Sequence, residues 1–289
     1  MIDASSLEFH HQLLDLAEAM KPLSSTVVKL AAAVADPDST MRDVEAILRE
    51  DPSLVAALLR EANSAASAAA SEISTVEGAV IRLGLARVLA IGAASSIGES
   101  EARNALPAYS LAEGGLWKHS MVTSYVAEAM YRSTPKTIGA EAVAAALLHD
   151  VGKLVLDKVL DPRYFRRGRK YNRVITKAER ELADVDHAEL SALLLEMWGI
   201  PTVIVDAVRY HHEPELATTP MAHVISVANT LAHGFETEIG FTYASYDLLE
   251  GREGSVKASL DMLNLKLDVV EQRARTLLEA NGILPTAES

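Results

Sequence analysis

An apolar helix that ends on a bare His-Asp pair constrains this chain more than any other stretch. It reads Ala144-Ala145-Ala146-Leu147-Leu148-His149-Asp150-Val151-Gly152-Lys153. An imidazole and a carboxylate at the mouth of a buried helix are costly unless they are paired or ligated. Neighbouring helical residues point about 100° apart around the axis. Both side chains can therefore face one cluster only where the helix ends, and Gly152 is the residue expected to place them there.

Around this stretch the chain reads as helix throughout. Of its 289 residues 49% are hydrophobic and only 5% aromatic, a mixture rich in the helix-favouring Ala and Leu. Apolar residues recur at helical spacing, and no run alternates in the manner of a strand. Ser24 or Ser25, Thr40 and Asp51-Pro52 are start signals in the N-terminal third. Ser74 and Glu77 fit a capping box, and Gly84 is the expected left-handed stop of the helix that follows. Further helices are predicted over 86–97, 116–131 and 140–149. Asp186 or His187 opens another, Pro201 leads one up to His211-His212, and Thr219-Pro220 starts one that carries His223, Asn229 and His233. After a loop over 251–255, two short amphipathic helices are expected to run to Asn281-Gly282. The expected fold class is all-α, two packed helical lobes over 1–105 and 106–240 with a helical extension over 241–289.

Net charge is −13, against the basic balance of a general nucleic-acid binder. No apolar run is long enough for a membrane span, and the N-terminus lacks the pattern of a signal peptide; the expected compartment is the cytoplasm. With no cysteine, any metal must be held by imidazole, carboxylate, amide and water. The segment holding Arg163, Arg166, Arg167, Arg169, Lys170, Arg173 and Lys177 reads as a solvated face, or else as a local anion site. His10 and His11 have no nearby partner and read as a surface pair. His223 and His233, taken singly, read as hydrogen-bonded structural histidines.

The remaining histidines form an ordered series: His119, then His149-Asp150, then His187, then His211-His212, with Asn229 where a last carboxylate is expected. This order resembles the HD superfamily of metal-dependent phosphohydrolases. Together with Asp51-Pro52-Ser53-Leu54, Ala62-Asn63-Ser64-Ala65 and the stretch from Val76 to Gly84, it makes the chain similar to HDOD-domain proteins, signalling relatives of the HD and HD-GYP phosphodiesterases. The resemblance implies that His119, His149 and Asp150 bind one divalent ion. Asp150, His187, His211 and His212 would contribute to a second ion or to phosphate contacts, and Asn229 would face the same centre. Fe, Mn, Zn, Ni or Mg are the candidate ions, and no ion at all is the other expectation. Lys153 matches a position that contacts phosphate in the HD-GYP relatives; otherwise it pairs with Asp150 or caps its helix.

Two departures bear on catalysis. Asn229 is a neutral amide where the pattern has an aspartate, and the segment after His212 reads Glu213-Pro214-Glu215-Leu216, without the Gly-Tyr-Pro motif. The expected function is a regulatory module acting through signalling proteins or a phosphorylated small ligand, with input and output on separate molecules. The alternative is an active metal-dependent phosphohydrolase, in which Asp150 and Lys153 would be catalytic.

Overall fold

Side-chain caps set many of the helix boundaries. The computed structural model describes residues 4–36, 38–63, 73–97, 104–134, 138–163, 175–240 and 253–285. Helix α1 spans Ala4–Glu18 and α2 spans Ser25–Ala35. Ser24 caps α2 by accepting a hydrogen bond from the Val27 N–H at 3.3 Å. Thr40 precedes α3, Met41–Arg49, where the Asp43 carboxylate reaches back to the Thr40 N–H at 2.8 Å. Asp51 caps α4, Pro52–Ala62, accepting from the Leu54 N–H at 3.0 Å, and Pro52 fills a first-turn position that needs no donor.

Helix α5, Val76–Ile97, departs from expectation in two ways. Its cap is Thr75, whose Oγ1 accepts from the Gly78 N–H at 3.0 Å, so the expected box of Ser74 and Glu77 lies one residue out of register. Gly84 does separate two helical segments, as expected, but not in the left-handed helical region; at φ 76° and ψ 158° it kinks α5, a backbone state that only glycine adopts without strain. Between α4 and α5 the Asn63 amide grips residue 73 from both sides. Its Nδ2 donates to the Ile73 carbonyl and its Oδ1 accepts from the Ile73 N–H, each at 2.8 Å.

Helix α6, Gly115–Ser133, carries His119, and α7, Glu141–Leu148, is the apolar helix that leads to His149. Every residue of α7 from Ala142 to Leu148 is buried, because α2, α5, α6 and the helices over 202–209 and 221–238 all pack on it. Its alanines suit that position, since small side chains let five neighbours approach one axis. Then follow α8, Lys153–Val159, α9, Ile175–Ala183, and α10, His187–Met197, with Asp186 as N-cap. Helix α11 spans Thr202–Arg209, a short 3-10 turn covers Pro214–Leu216, and α12 spans Met221–Glu238.

Helices α13, Glu253–Met262, and α14, Leu267–Ala280, end the described chain. The first begins inside the stretch expected to be a loop. They lie on α12 and α6 respectively, and one continuous hydrophobic core runs from Leu13 to Leu284. Among the described residues there is no strand, only an isolated bridge between Leu106 and Leu111. No helix among them is long and apolar enough to cross a membrane. Of the basic segment, 164–174 fall outside the described residues; Arg163 is exposed and paired with Asp161 at 3.0 Å.

The Asn63 clamp makes a direct prediction. Asn63→Ala removes both bonds to Ile73 and should destabilise the chain by about 1–2 kcal/mol. A urea-unfolding midpoint unchanged from that of the parent would contradict the clamp.

Candidate metal centre

Helix α7 ends at Leu148, and His149 takes the C-cap position with a helical backbone at φ −58° and ψ −29°. A tight turn over 149–152 then leads straight into α8, so His149, Asp150 and Lys153 all project from one corner. Gly152 is itself helical at φ −61° and ψ −24°, so conformational freedom does not explain the glycine. Space does: a Cβ there would lie 2.5 Å from the His187 carbonyl oxygen and 2.7 Å from the Ser191 nitrogen. The Gly152 N–H donates to Ser191 Oγ at 2.8 Å. Glycine thus lets the start of α10 abut the His-Asp turn, which brings His187 to Asp150.

Asp150 is fully buried, with histidines from α6, the α7 corner, α10 and the turn after α11 gathered around it. Its Oδ2 lies 3.7 Å from His119 Nε2 and 3.4 Å from His149 Nε2, while Oδ1 lies 3.2 Å from His187 Nε2 and 3.9 Å from His211 Nε2. Lys153 Nζ contacts Oδ2 at 2.5 Å. His212 joins the Oδ1 side through a 2.9 Å approach of its Nε2 to that of His187. The expected grouping is therefore present in space. His119, His149 and Asp150 form one set of converging donor atoms, and His187, His211 and His212 form another.

The far side of each ring explains why the Nε2 atoms point inward. His119 Nδ1 meets Glu236 Oε1 at 2.7 Å, and His187 Nδ1 meets Glu179 Oε2 at 2.6 Å. His149 Nδ1 and His211 Nδ1 face the carbonyls of Ala146 and Val208 at 2.8 and 2.7 Å. In all four cases Nδ1 faces an acceptor, which assigns a ring proton to Nδ1; wherever the ring is neutral this leaves the Nε2 lone pair for the centre. His119 and His149 show what this implies. Burial, more than the nearby Asp150 carboxylate can offset, holds each at a pKa of about 3. Both are neutral near pH 7, and their Nε2 atoms lie 3.3 Å apart. Two imidazole nitrogens this close, beside the Asp150 carboxylate, form a set of donor atoms that one cation could share.

His187 behaves differently. Burial pushes its pKa down, but the Glu179 and Asp150 carboxylates outweigh this and lift it to about 9. Burial likewise pushes Asp150 up, yet the cationic and imidazole neighbours hold it well below the ordinary carboxylate range. His211 Nε2 and Asn229 Oδ1 are buried without a hydrogen-bond partner. Nitrogen and oxygen donors converging on one carboxylate suit Fe, Mn, Zn or Ni, and the orphaned His211 Nε2 shows that the protein's own groups leave a donor unused.

Asn229 is buried on α12 facing His119, as the HD pattern implies. Lys153 is buried against Asp150, the pairing weighed beside a phosphate contact. His212 is only half-buried, at the rim. His11 is exposed, and His223 is half-buried on Ser259, 2.9 Å away. His233 is not the isolated structural histidine expected: its ring stacks on that of His119 with centroids 4.9 Å apart, and its Nδ1 lies 3.2 Å from Glu236 Oε2. Glu179 and Glu236, which the sequence reading passed over, are the two carboxylates that orient His187 and His119. Each sits among buried positions of its helix, Thr176, Ala178 and Ala183 for one and Ala232 and Phe235 for the other. A carboxylate on an apolar stripe was the available signal.

Two predictions arise from this geometry. Gly152→Ala should drive α8 and α10 apart, destabilise the chain by about 1–3 kcal/mol and weaken any divalent ion bound at Asp150; wild-type melting and ion affinity in this variant would contradict the close approach. The second concerns pH. Between the folded pKa of about 3 for His119 and His149 and the ordinary 6.5, the unfolded chain binds more protons than the folded one. Stability of the ion-free protein therefore falls as pH drops below about 6.5. His187 acts in the opposite sense: its contribution is full below 6.5 and is lost as pH rises through about 9. Urea unfolding of the ion-free chain should show greatest stability near pH 6.5, with loss on either side; no loss on acidification from about pH 7 to 5 would contradict the assignment.

A family model described as HDOD domain matches residues 20–214. An uncharacterised protein of Treponema pallidum is 23% identical over 261 residues, 86% of this chain and 49% of the relative, so the chain spans about half the length of that curated relative. An HDOD domain protein of unknown function from Geobacter sulfurreducens superposes with a TM-score of 0.65 at 21% identity, covering 96% of this chain and 98% of that one. A protein from Marinobacter aquaeolei, provisionally named a signal transduction protein, gives 0.62 at 22%, covering 98% of this chain and 65% of the other. A protein from Shewanella amazonensis, provisionally named a phosphohydrolase, gives 0.58 at 22%, covering 94% and 96%. At these identities the structural likeness establishes the fold. With the family match extending over more than half of its length, the chain belongs to the HDOD domain family.

Proposed function

We propose that this chain is a regulatory HDOD module that acts by binding partners, with a buried divalent-ion centre at Asp150 that serves structure and signalling rather than turnover. The observation that carries this reading is the closure of the centre. His119, His149, Asp150, His187 and His211 all have 0% exposure, and only His212 and His233 reach the rim. A phosphodiester needs an open ligand position at the metal, and these side chains are closed off from solvent. Asn229 supports the same reading, since it offers one neutral oxygen where a catalytic HD site has a charged carboxylate.

His119, His149 and Asp150 would hold one ion, and His187, His211 and His212 would hold another or add to the first. A bound ion would supply positive charge and Lewis acidity at the carboxylate. The protein's part is orientation. Glu236 and Glu179 fix two rings, the Ala146 and Val208 carbonyls fix two more, and Lys153 neutralises Asp150. Because these residues come from α6, the α7 corner, α8, α9, α10, α12 and the turn after α11, ion binding would tie most of the histidine-bearing helices to one point. Input and output would then be signalling proteins or a phosphorylated small ligand, in line with the provisional signalling name of the Marinobacter protein of like fold.

One observation favours a second reading. The two Asp150 oxygens face two separate histidine sets, the arrangement a binuclear phosphohydrolase requires. Turnover separates the two. With Mn²⁺ added, the chain should hydrolyse cyclic dinucleotides, nucleotides and simple phosphodiesters no faster than a His149→Ala control. Robust hydrolysis abolished by His149→Ala would replace the binding reading with the enzymatic one. Asn229→Asp should raise divalent-ion affinity, and the gain should vanish in an Asp150→Ala background. Loss of thermal stability with no gain in affinity would remove Asn229 from the centre.

A further inference from the structure

A short turn outside the histidine series reaches both sides of the centre. Leu106 and Leu111 exchange backbone hydrogen bonds at 3.0 and 3.1 Å, closing a loop over 107–110 in which Ser110 has φ 58°. Asp157 on α8 accepts from the Ala108 N–H at 2.8 Å and anchors the loop. The loop buries Tyr109, 1% exposed, between α8 and α9. Its hydroxyl donates to Glu179 Oε1 at 2.7 Å, while Glu179 Oε2 accepts from the ring and the backbone N–H of His187, at 2.6 and 3.0 Å. The face of the same ring lies 5.6 Å from Lys153 Nζ, the ammonium that contacts Asp150.

We propose that Tyr109 is a positioning residue for ion binding, acting through Glu179 on His187 and through Lys153 on Asp150. This rests on the metal reading above and extends it to a residue outside the ligand set. The hydroxyl and the ring have separable roles. Both Glu179 oxygens are engaged, one by Tyr109 and one by His187, so the carboxylate cannot rotate away and His187 keeps its Nε2 toward Asp150. Removing the hydroxyl frees Glu179 Oε1 and loosens His187 alone. Removing the ring also withdraws the aromatic face from Lys153, and with it part of the restraint on the shared carboxylate.

Cobalt titration of the ion-free full chain, followed by visible absorbance, tests this. Tyr109→Phe should weaken about tenfold the Co²⁺ binding that His212→Ala removes, the low end for loss of an orienting partner, and change by less than about twofold the binding that His149→Ala removes. In a Glu179→Gln background Tyr109→Phe should add no further loss, because hydroxyl and carboxylate act as one unit. Tyr109→Leu should weaken both. Unchanged Co²⁺ affinity in Tyr109→Phe, an equal loss in both halves, or a fully additive loss with Glu179→Gln overturns the role of Tyr109 and leaves the metal centre standing. A wild-type chain that takes up no Co²⁺ overturns the metal reading and this inference together.

Discussion

A buried carboxylate surrounded by imidazole nitrogens is the constraint on which the centre depends. Asp150 has no access to solvent, and an ionised carboxylate so placed is tenable only with compensating charge and hydrogen bonds. Lys153 supplies one contact and a protonated His187 another. Beside the carboxylate His119 and His149, both neutral, bring their Nε2 atoms within 3.3 Å of each other. A divalent ion held here would compete with the His187 proton, so ion affinity should couple to pH as it does wherever ligands must be deprotonated.

Orientation of the four inward-facing rings is built from outside the centre in two ways. His149 and His211 each turn back on a carbonyl in their own helical turn, a local device that needs only the helix. His119 and His187 depend on carboxylates from other parts of the chain, Glu236 on α12 and Glu179 on α9. The two devices differ in consequence. The first pair is fixed as soon as its helices form; the second pair is fixed only when α6 meets α12 and α9 meets α10. On the proposed reading, ion binding would therefore report on tertiary packing.

The all-α fold and the histidine set were legible in the sequence because both are written in local terms. Ser24, Thr40, Asp51 and Asp186 stand where a helix needs an acceptor, and the ligand candidates are residue types that seldom gather without a reason. The cap of α5 was read one residue early because Ser74 and Thr75 are adjacent hydroxyls; only the backbone decides which one reaches the third N–H. Gly152 was read as a helix end, whereas its helical backbone and the His187 carbonyl show that the missing side chain makes room. Glu179 and Glu236 were passed over because acids on helices are usually solvated, and His233, read as a hydrogen-bonded structural histidine, bonds Glu236 beside the centre. Tyr109 gave no signal, since its contacts with Glu179 and Lys153 exist only after a loop from before α6 has docked between α8 and α9.

The central claim, that the corner at Asp150 holds a divalent ion, is tested most directly by metal analysis of the chain purified without chelator. The account predicts at least one equivalent of Fe, Mn, Zn or Ni per chain, absent from Asp150→Ala and removable by chelator with a fall in melting temperature. A chain that purifies without metal, and whose melting is unmoved by chelator or by added Mn²⁺, Zn²⁺ or Ni²⁺, would show that Lys153 and the histidines alone satisfy Asp150.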